Sequence, residues 1–247
     1  MNRFSNITDL LHLPRFLPTL QAIVLTPKQF FSHYYELVLS RQPNLFDINY
    51  EKDGDKYLGP VKFSALAIGI NNFLFPIFLY LGVQAGAISS DFYRFSQWAK
   101  KEGYLDATAF TGISFVDSTI MDLLALGVMY GLGVLIWLFS TKKISVRFAT
   151  GYFFYLNAWS LLGTLISMCF IVVGLILPIY ATGIPQLIGI VVQFAAIFMF
   201  LVFPIWIWPE IIRVERQTVA IAYGLAFVCW VTVLAIVGPM IIRMPQF

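Results

Sequence analysis

The acidic residues next to long apolar stretches are the first candidates for chemistry. Asp117 and Asp122 precede one such stretch, and Glu210 follows another. A carboxylate at the start of a helix is stabilised by the positive end of the helix dipole, so capping is the simpler interpretation of the two aspartates. Glu210 is spaced to pair with Arg213, three residues on. In an enzyme acting on lipid, these three carboxylates would be the only plausible acids.

The other reactive side chains do not form a recognisable site. His12 and His33 lie far in sequence from any partner, and Cys169 and Cys229 lie in apolar windows, where we expect buried free thiols. A metal site would need more cysteine or histidine ligands at short spacing. The sequence also offers no phosphate-binding glycine loop and no nucleophile–base pair. We therefore expect no catalytic residue, no cofactor and no metal ion.

The most informative stretch of the chain runs from Phe148 to Pro209, where 62 consecutive residues include no Asp, Glu, Lys, Arg or His. The whole chain is 59% hydrophobic and only 12% charged, against a usual charged share of about 25%. A bilayer core about 30 Å thick takes roughly 20 helical residues per crossing. This stretch therefore predicts two crossings joined by a turn at Ala181–Gln186. The net charge of +3 is too small to indicate a nucleic-acid partner.

Apolar windows of this kind occur five times, and each is long enough to span a bilayer as a helix. They are Phe63–Ile88, Leu123–Ser140, Phe148–Ile179, Ile184–Pro209 and Thr218–Ile242. We therefore predict an all-α membrane protein with five transmembrane helices. Residues 59–247 form its transmembrane domain, and residues 1–58 form an amphipathic cytoplasmic segment.

The basic residues predict the orientation of the chain in the bilayer. Twelve of the 16 basic residues lie before the first window, in the loop between the second and third windows, or in the loop between the fourth and fifth. The other four lie in the loop between the first and second windows and in the C-terminal tail. Basic residues accumulate on the cytoplasmic side of a membrane. The N-terminus is therefore predicted to be cytoplasmic and the C-terminus external or lumenal, in a bacterial inner membrane or a eukaryotic endomembrane.

The N-terminal segment contains two amphipathic patterns. Apolar residues recur there at spacings of three and four, which is typical of one face of a helix. The first pattern consists of Leu13, Phe16, Leu17, Leu20, Ile23 and Val24. The second consists of Phe30, Phe31, Tyr34, Leu37 and Val38. Between them, Thr26, Pro27 and Gln29 suit the start of a second helix. We predict two short helices in the cytoplasmic membrane interface, with docking on the transmembrane bundle or on a partner as alternatives.

The polar side chains inside the predicted spans are amides rather than charged groups. Asn71, Asn72, Asn157 and Gln193 are expected to form hydrogen bonds between helices, each contributing about 1 kcal/mol. Lining a polar cavity is the alternative. No ionisable residue occupies the middle of a predicted span, which disfavours a proton-coupled or ion-coupled transporter.

Two short motifs, together with the five-span topology, resemble the Yip1-type family of membrane proteins. Asp55, Tyr57, Gly59 and Pro60 enter the first window in a pattern similar to the Asp-x-Tyr-Gly-Pro motif of that family, with Leu58 as an additional residue. The resemblance implies that Gly59 and Pro60 set the entry angle of the first span. It also implies that Tyr57 anchors at the membrane interface.

The second motif of that family is a Gly-Tyr pair that opens the third span after a short basic loop. Gly151 and Tyr152 occupy that place here. The resemblance implies a cytoplasmic N-terminal region, five clustered spans and a short lumenal or external tail. Eukaryotic members act in early secretory traffic and membrane shaping, so it also implies association with a small Rab-type GTPase, with other membrane proteins or with further copies of the chain.

Three hypotheses of function follow from these features. The leading one is a non-enzymatic, Yip1-like integral membrane protein that organises or binds other membrane proteins. The second is a small transporter, channel or accessory subunit of a membrane complex, with amides such as Asn72 and Gln193 lining its path. The third is the lipid enzyme, in which Asp122 would be the first residue to test.

Overall fold

The computed structural model describes residues 13–41, 49–52, 55–84, 112–176 and 184–242. These residues are mostly helical, as predicted. The first described elements are α1 (Leu13–Leu25) and α2 (Pro27–Arg41), separated by Thr26. The Thr26 hydroxyl donates a hydrogen bond to the carbonyl of Ala22, 3.2 Å away, in the last turn of α1. Proline suits the first position of α2, because its missing N–H would have no partner there.

A two-stranded antiparallel hairpin follows, formed by β1 (Asn49–Lys52) and β2 (Asp55–Leu58). Its register pairs Asn49 with Leu58 and Lys52 with Asp55. The prediction of an all-α fold missed this hairpin, because its strands lack the Val- and Ile-rich alternation by which strands are usually identified. β2 contains Asp55 and Tyr57 of the first motif, and the next helix begins at Pro60 of the same motif.

Five long helical segments follow within the described ranges, and each overlaps one apolar window. They are α3 (Pro60–Gln84); α4 (Gly112–Phe139); α5 (Val146–Tyr155) with α6 (Asn157–Ile176); α7 (Ile184–Ile197), a π-helix (Phe198–Val202), α8 (Phe203–Trp206) and α9 (Trp208–Ile212); and α10 (Arg216–Ile242). Within the described ranges, one helix is long and apolar enough to cross a membrane, over Arg216–Val233 of α10. Five crossings stay a prediction.

Two predicted boundaries differ from the structure or lie beyond it. α4 begins at Gly112, so Asp117 and Asp122 lie within the helix and not at its N-terminal cap. The helix extends upstream of its apolar window because no proline or glycine interrupts it there, and its unpaired N–H groups belong to the first turn, ahead of both aspartates. Of the turn predicted at Ala181–Gln186, the first part lies outside the described residues, and α7 begins at Ile184.

The apolar faces of α1 and α2 pack into the core of the protein. The buried residues on these faces are Phe16, Leu20, Ile23, Phe30, Phe31, Tyr34 and Val38. This is the docked arrangement that the sequence left open as an alternative to an interfacial one. It stabilises the two helices, since each large apolar side chain removed from water contributes about 1.5–3 kcal/mol.

Two polar pairs set the register of α3 against α6. The amide nitrogen of Asn157 donates to the hydroxyl of Ser64 at 2.7 Å, and the hydroxyl of Thr164 donates to the amide oxygen of Asn71. The partners are separated by 93 positions in both pairs. The pairs are therefore seven residues apart on each helix (64 to 71 and 157 to 164), about two helical turns. α3 and α6 thus run parallel, with their N-termini at the same end.

Candidate functional site

Both family-like motifs meet at one end of the helical bundle, where α1, α2, β2, α3 and α5 contact one another. Seven buried aromatic rings fill this place, and we call them the aromatic junction: Phe30, Phe31, Tyr34, Tyr57, Phe63, Tyr152 and Tyr155. The ring centroids of neighbouring members lie 4.6 to 6.1 Å apart. Aromatic pairs at such distances contribute about 0.5–1.5 kcal/mol beyond the area they bury.

The first motif forms the connection between the hairpin and α3. The carbonyl of Gly59 accepts a hydrogen bond from the N–H of Phe63 at 2.9 Å, and Pro60 is the first residue of α3. The Tyr57 ring lies edge-on to Phe30, with centroids 5.5 Å apart, and the side chain is only 9% exposed. The Tyr57 ring is therefore packed against protein, and its role as an anchor at the membrane interface stays a prediction. Asp55 pairs in the hairpin through its backbone, and its side chain lies outside the described part of the structure.

Tyr155 joins the two motifs, although the sequence analysis did not select it. Its hydroxyl donates to the carbonyl of Leu58 at 2.7 Å. The N–H of Leu58 in turn donates to the Thr19 hydroxyl at 3.0 Å, and that hydroxyl donates to the carbonyl of Arg15 at 2.7 Å. This series of hydrogen bonds connects α5, β2 and α1. The available signal was spacing, because Tyr155 lies four residues after Gly151 and therefore on the same helix face.

Gly151 allows α2 to approach α5 closely. A Cβ atom at this position would lie 2.6 Å from Cζ of Tyr34, well inside van der Waals contact. The Tyr34 hydroxyl donates to the carbonyl of Arg147 at 3.0 Å. Burial raises the pKa of Tyr34, so its hydroxyl remains a proton donor at every physiological pH. The glycine of the second motif therefore has a physical explanation, which is the space taken by Tyr34.

Tyr152 supports the π-helix in the fourth segment. Pro204 has no N–H, so it cannot donate to the carbonyl of Phe200, four residues earlier, or of Met199, five residues earlier. The hydroxyl of Tyr152 donates to the Met199 carbonyl, and that of Tyr223 donates to the Phe200 carbonyl. Pro204 has no N–H to donate to these two carbonyls, and each of them accepts a hydrogen bond from a tyrosine hydroxyl instead. Buried backbone carbonyls need such partners.

Tyr152→Phe is expected to lower the free energy of unfolding by about 1–3 kcal/mol, because it leaves the buried Met199 carbonyl without this donor. In a Pro204→Ala background, residue 204 regains an N–H, and the cost of Tyr152→Phe should be smaller. Thermal unfolding in detergent of the wild type, the two single variants and the double variant measures the coupling between Tyr152 and Pro204 as a double-mutant cycle. An equal cost in both backgrounds would show that Pro204 does not create the need for the tyrosine hydroxyl.

The predicted interhelical amides lie at different places in the bundle. Asn157 bonds Ser64 across α6 and α3, as described above, and also donates to the carbonyl of Phe154 at 3.1 Å. Asn72 is buried on α3. Gln193 lies on α7, with its side chain outside the described part of the structure. The amide of Asn157 therefore serves to pack helices together.

Glu210 forms an ion pair with Lys28, which joins α9 to α2. The pairing with Arg213 suggested by the sequence is not the one that forms, because α9 ends at Ile212 and Arg213 adopts a left-handed φ of 54° that takes it off the helix face. The hydrogen bond from Lys28, and then the charge of Lys28, hold the pKa of Glu210 below its usual value.

This lowered pKa gives the docking of α2 a pH dependence. The ion pair stabilises the folded protein above the pKa of an unfolded glutamate, and that contribution is lost as the pH falls through the lower folded pKa. We expect the Tm of the wild type to fall in acid relative to that of Glu210→Gln, by a small amount because both side chains are at least half exposed. A difference in Tm between the two proteins that stays constant from neutral to acidic pH would contradict this.

Among the side chains that the structure describes, the reactive ones noted in the sequence form no cluster. Cys169 and Cys229 are free, and Cys169 is exposed on α6 instead of buried as expected, because its helix face is covered by no other described element. The side chains of Asp117 and Asp122, and all of His12, lie outside the described part of the structure. The described residues include no group of three His, Cys, Asp or Glu side chains suited to a metal ion.

No family model, curated protein or solved structure matches the chain.

Proposed function

We propose that this chain is an integral membrane protein of five spans that organises or binds other membrane proteins, in a role similar to that of Yip1-type proteins. The observation that supports this most directly is the surface of α10. Its window Arg216–Val233 is apolar, yet only 22% of that window is buried inside the protein. A helix that is apolar on all sides is stable in a protein core or in lipid. Because the core covers so little of α10, lipid is the natural surrounding for the rest.

Large apolar side chains are exposed on α4 and α7 as well as on α10. These exposed residues include Leu123 and Leu124 of α4, Leu187, Val191 and Phe194 of α7, and Ile221, Leu225, Val228 and Ile236 of α10. Soluble monomers rarely expose contiguous apolar patches beyond a few hundred Å². An environment of hydrocarbon removes that cost, so these surfaces support the membrane placement of the whole bundle.

The parallel packing of α3 and α6 supports the proposed topology. With five spans, the first and third must begin on the same side of the membrane. The two polar pairs show that α3 and α6 run in the same direction, which meets that requirement. The charge distribution makes this side the cytoplasm. It then carries α1, α2 and the aromatic junction, while the C-terminus is external or lumenal.

The aromatic junction supports a binding role because its hydroxyl groups are used to join elements. Tyr34, Tyr152 and Tyr155 all donate to main-chain carbonyls. The bonds of Tyr34 and Tyr155 hold α2 and α1 as a fixed cytoplasmic face, whereas Tyr152 holds the π-helix. Leu17 and Leu25 remain exposed on this face. We propose this face as the surface that meets a partner, whether a small GTPase, a membrane complex or a second copy of the chain.

Crosslinking and affinity capture of the full chain from native membranes tests this proposal. We expect defined membrane proteins, or the chain itself, to be captured, and Leu17→Ser with Leu25→Ser to weaken capture. A matched control is Leu187→Ser, which alters an equally exposed leucine on α7 instead. The membrane placement would be refuted if alkaline carbonate removed the protein from membranes, or if cysteine labelling put both chain ends on one side.

A small transporter or channel is the second candidate, and the polar layer between α3 and α6 favours it. Ser64, Asn71, Asn157 and Thr164 form this layer, and Asn72 is buried beside it. A transporter reconstituted in liposomes would give a solute flux that Asn72→Leu or Gln193→Leu abolishes. An organiser of other proteins would give no flux in either form.

A further inference from the structure

Two short loops present exposed cations at one end of the bundle. The first, residues 140–145, carries Lys142 and Lys143. The second, residues 213–215, carries Arg213 and leads into Arg216, the first residue of α10. Consecutive tyrosines of α2 hold the two loops at the same end. The Tyr34 hydroxyl donates to the Arg147 carbonyl just after the first loop, and the Tyr35 hydroxyl donates to the Ile212 carbonyl, 3.3 Å away, just before the second.

Both loops contain non-glycine residues with positive φ, and two of these three residues are cations. Within the described residues, the non-glycine positions with positive φ are Thr141, Lys142 and Arg213, at 53°, 66° and 54°. Glycine adopts this conformation without strain, whereas a residue with a Cβ atom does not. The chain therefore keeps a lysine and an arginine at two positions where glycine would be easier to accommodate. Such strain is commonly retained where the side chain has a function.

Helix dipoles account for only part of this arrangement. Lys142 and Arg213 follow the C-termini of α4 and α9, where a positive charge is favourable. Arg216 is the first residue of α10, where a positive charge opposes the dipole. Its charge instead acts on Glu210, whose pKa is lowered by the hydrogen bond and charge of Lys28 and, to a lesser extent, by Arg216.

Indole rings lie beside the cations. The Lys142 ammonium is 5.4 Å from the centroid of the Trp137 ring, and the Arg216 guanidinium is 5.1 Å from that of Trp206, whose side chain is 58% exposed. Tryptophan next to lysine or arginine is typical of the headgroup layer of a bilayer. The nearby Glu210 is paired with Lys28, so Glu215 is the remaining carboxylate of the second loop.

We propose that these two loops form a binding surface for the headgroups of anionic phospholipids in the cytoplasmic leaflet, an inference that rests on the membrane placement proposed above. The phosphates would meet Lys142, Lys143, Arg213 and Arg216. The exposed apolar side chains of Phe139 and Trp206 border these cations and suit the boundary between headgroups and acyl chains. This apolar border selects a lipid over an acidic peptide or a soluble anion, since neither of those brings a hydrocarbon layer with it.

The test uses the full chain reconstituted in phosphatidylcholine vesicles that contain a minor fraction of phosphatidylglycerol. After gentle detergent extraction, mass spectrometry measures the enrichment of phosphatidylglycerol among the lipids retained by the protein. Lys142→Gly with Arg213→Gly should reduce that enrichment by about five-fold for each cation removed, the equivalent of about 1 kcal/mol per basic residue at an anionic surface. The same variant should unfold at an unchanged or higher temperature in pure phosphatidylcholine, because glycine relieves the strained backbone.

Thr141→Gly is the matched control, since it relieves the same backbone strain without removing a charge. The inference is overturned if the double variant retains phosphatidylglycerol as well as the wild type does, or if Thr141→Gly loses as much. It is also overturned if inorganic phosphate displaces the lipid. A protein that inserts into vesicles without enriching the anionic lipid refutes this inference alone, whereas one that alkaline carbonate removes from them refutes the membrane placement as well.

Discussion

Replacing Tyr155 with alanine should lower the free energy of unfolding by about 3–5 kcal/mol, the usual cost of removing a fully buried aromatic side chain. Tyr155 is 0% exposed. Its ring centroid lies 4.9 Å from that of Phe30, 5.4 Å from Tyr34 and 5.5 Å from Phe63. The substitution removes contacts to α2 and α3 together and leaves the Leu58 carbonyl without the tyrosine hydroxyl. We therefore expect α1 and α2 to detach before the rest of the bundle unfolds.

Two further variants separate the contributions of Tyr155. Tyr155→Phe keeps the ring and loses only the hydroxyl, so it should cost about 1–3 kcal/mol. Tyr130→Ala removes a tyrosine that is 47% exposed on α4, and its effect should lie within about 0.5 kcal/mol. Thermal unfolding in detergent measures all three, and limited proteolysis of α1 and α2 reports their detachment. If Tyr155→Ala and Tyr130→Ala cost the same, the aromatic junction does not hold the N-terminal helices.

The helices themselves could be predicted from the sequence because their signal is local. Each of the five apolar windows overlaps a helical segment. The three-and-four spacing indicated the buried face of α1 at Phe16, Leu20 and Ile23, but Leu17, which belonged to the same predicted stripe, is exposed. The π-helix was not foreseen, although its cause is local as well. Pro204 marks the position, but the geometry also needs Tyr152 and Tyr223 from other segments to supply donors.

The partners inside the candidate site could not be predicted, because they lie far apart in the sequence. Tyr34 reaches Arg147 over 113 residues, and Tyr155 reaches Leu58 over 97. Periodicity tells which side of a helix is apolar, but it does not tell which helix will cover that side. The motif residues Gly59 and Gly151 lie at the same end of the bundle as the aromatic junction. The resemblance that selected them did not reveal that Tyr34 is what Gly151 accommodates.

The pairing of Arg213 was predicted wrongly for a different reason, which is its backbone conformation. A basic residue at the end of a helix is expected to stay on the helix face, where Arg213 would meet Glu210. The positive φ of Arg213 removes it from that face, and Lys28 of α2 takes its place. Local propensity disfavours this backbone for arginine, so the sequence alone argues against what the folded chain adopts. Such disagreements between local preference and structure are expected at functional positions.

Gly151→Ala should lower the free energy of unfolding by about 3 kcal/mol, although alanine is intrinsically the better helix former. The added methyl group would lie 2.6 Å from Cζ of Tyr34 and 2.8 Å from its Cε1. Both atoms belong to a rigid ring held by Phe148 and Tyr155, so α2 must move. That movement also breaks the hydrogen bond from Tyr34 to the carbonyl of Arg147.

The matched controls are Gly127→Ala and Gly224→Ala, since a Cβ atom at either position meets nothing within 4 Å. Both should leave stability unchanged or raise it by about 0.5–1 kcal/mol through helix propensity. In a Tyr34→Ala background, Gly151→Ala should lose most of its cost, because the methyl group then occupies vacated space. Thermal unfolding of the wild type, the two single variants and the double variant tests whether Gly151 is needed to accommodate Tyr34. If its cost survives the removal of Tyr34, the docking of α2 does not explain that glycine, and a contact with a partner becomes the better explanation.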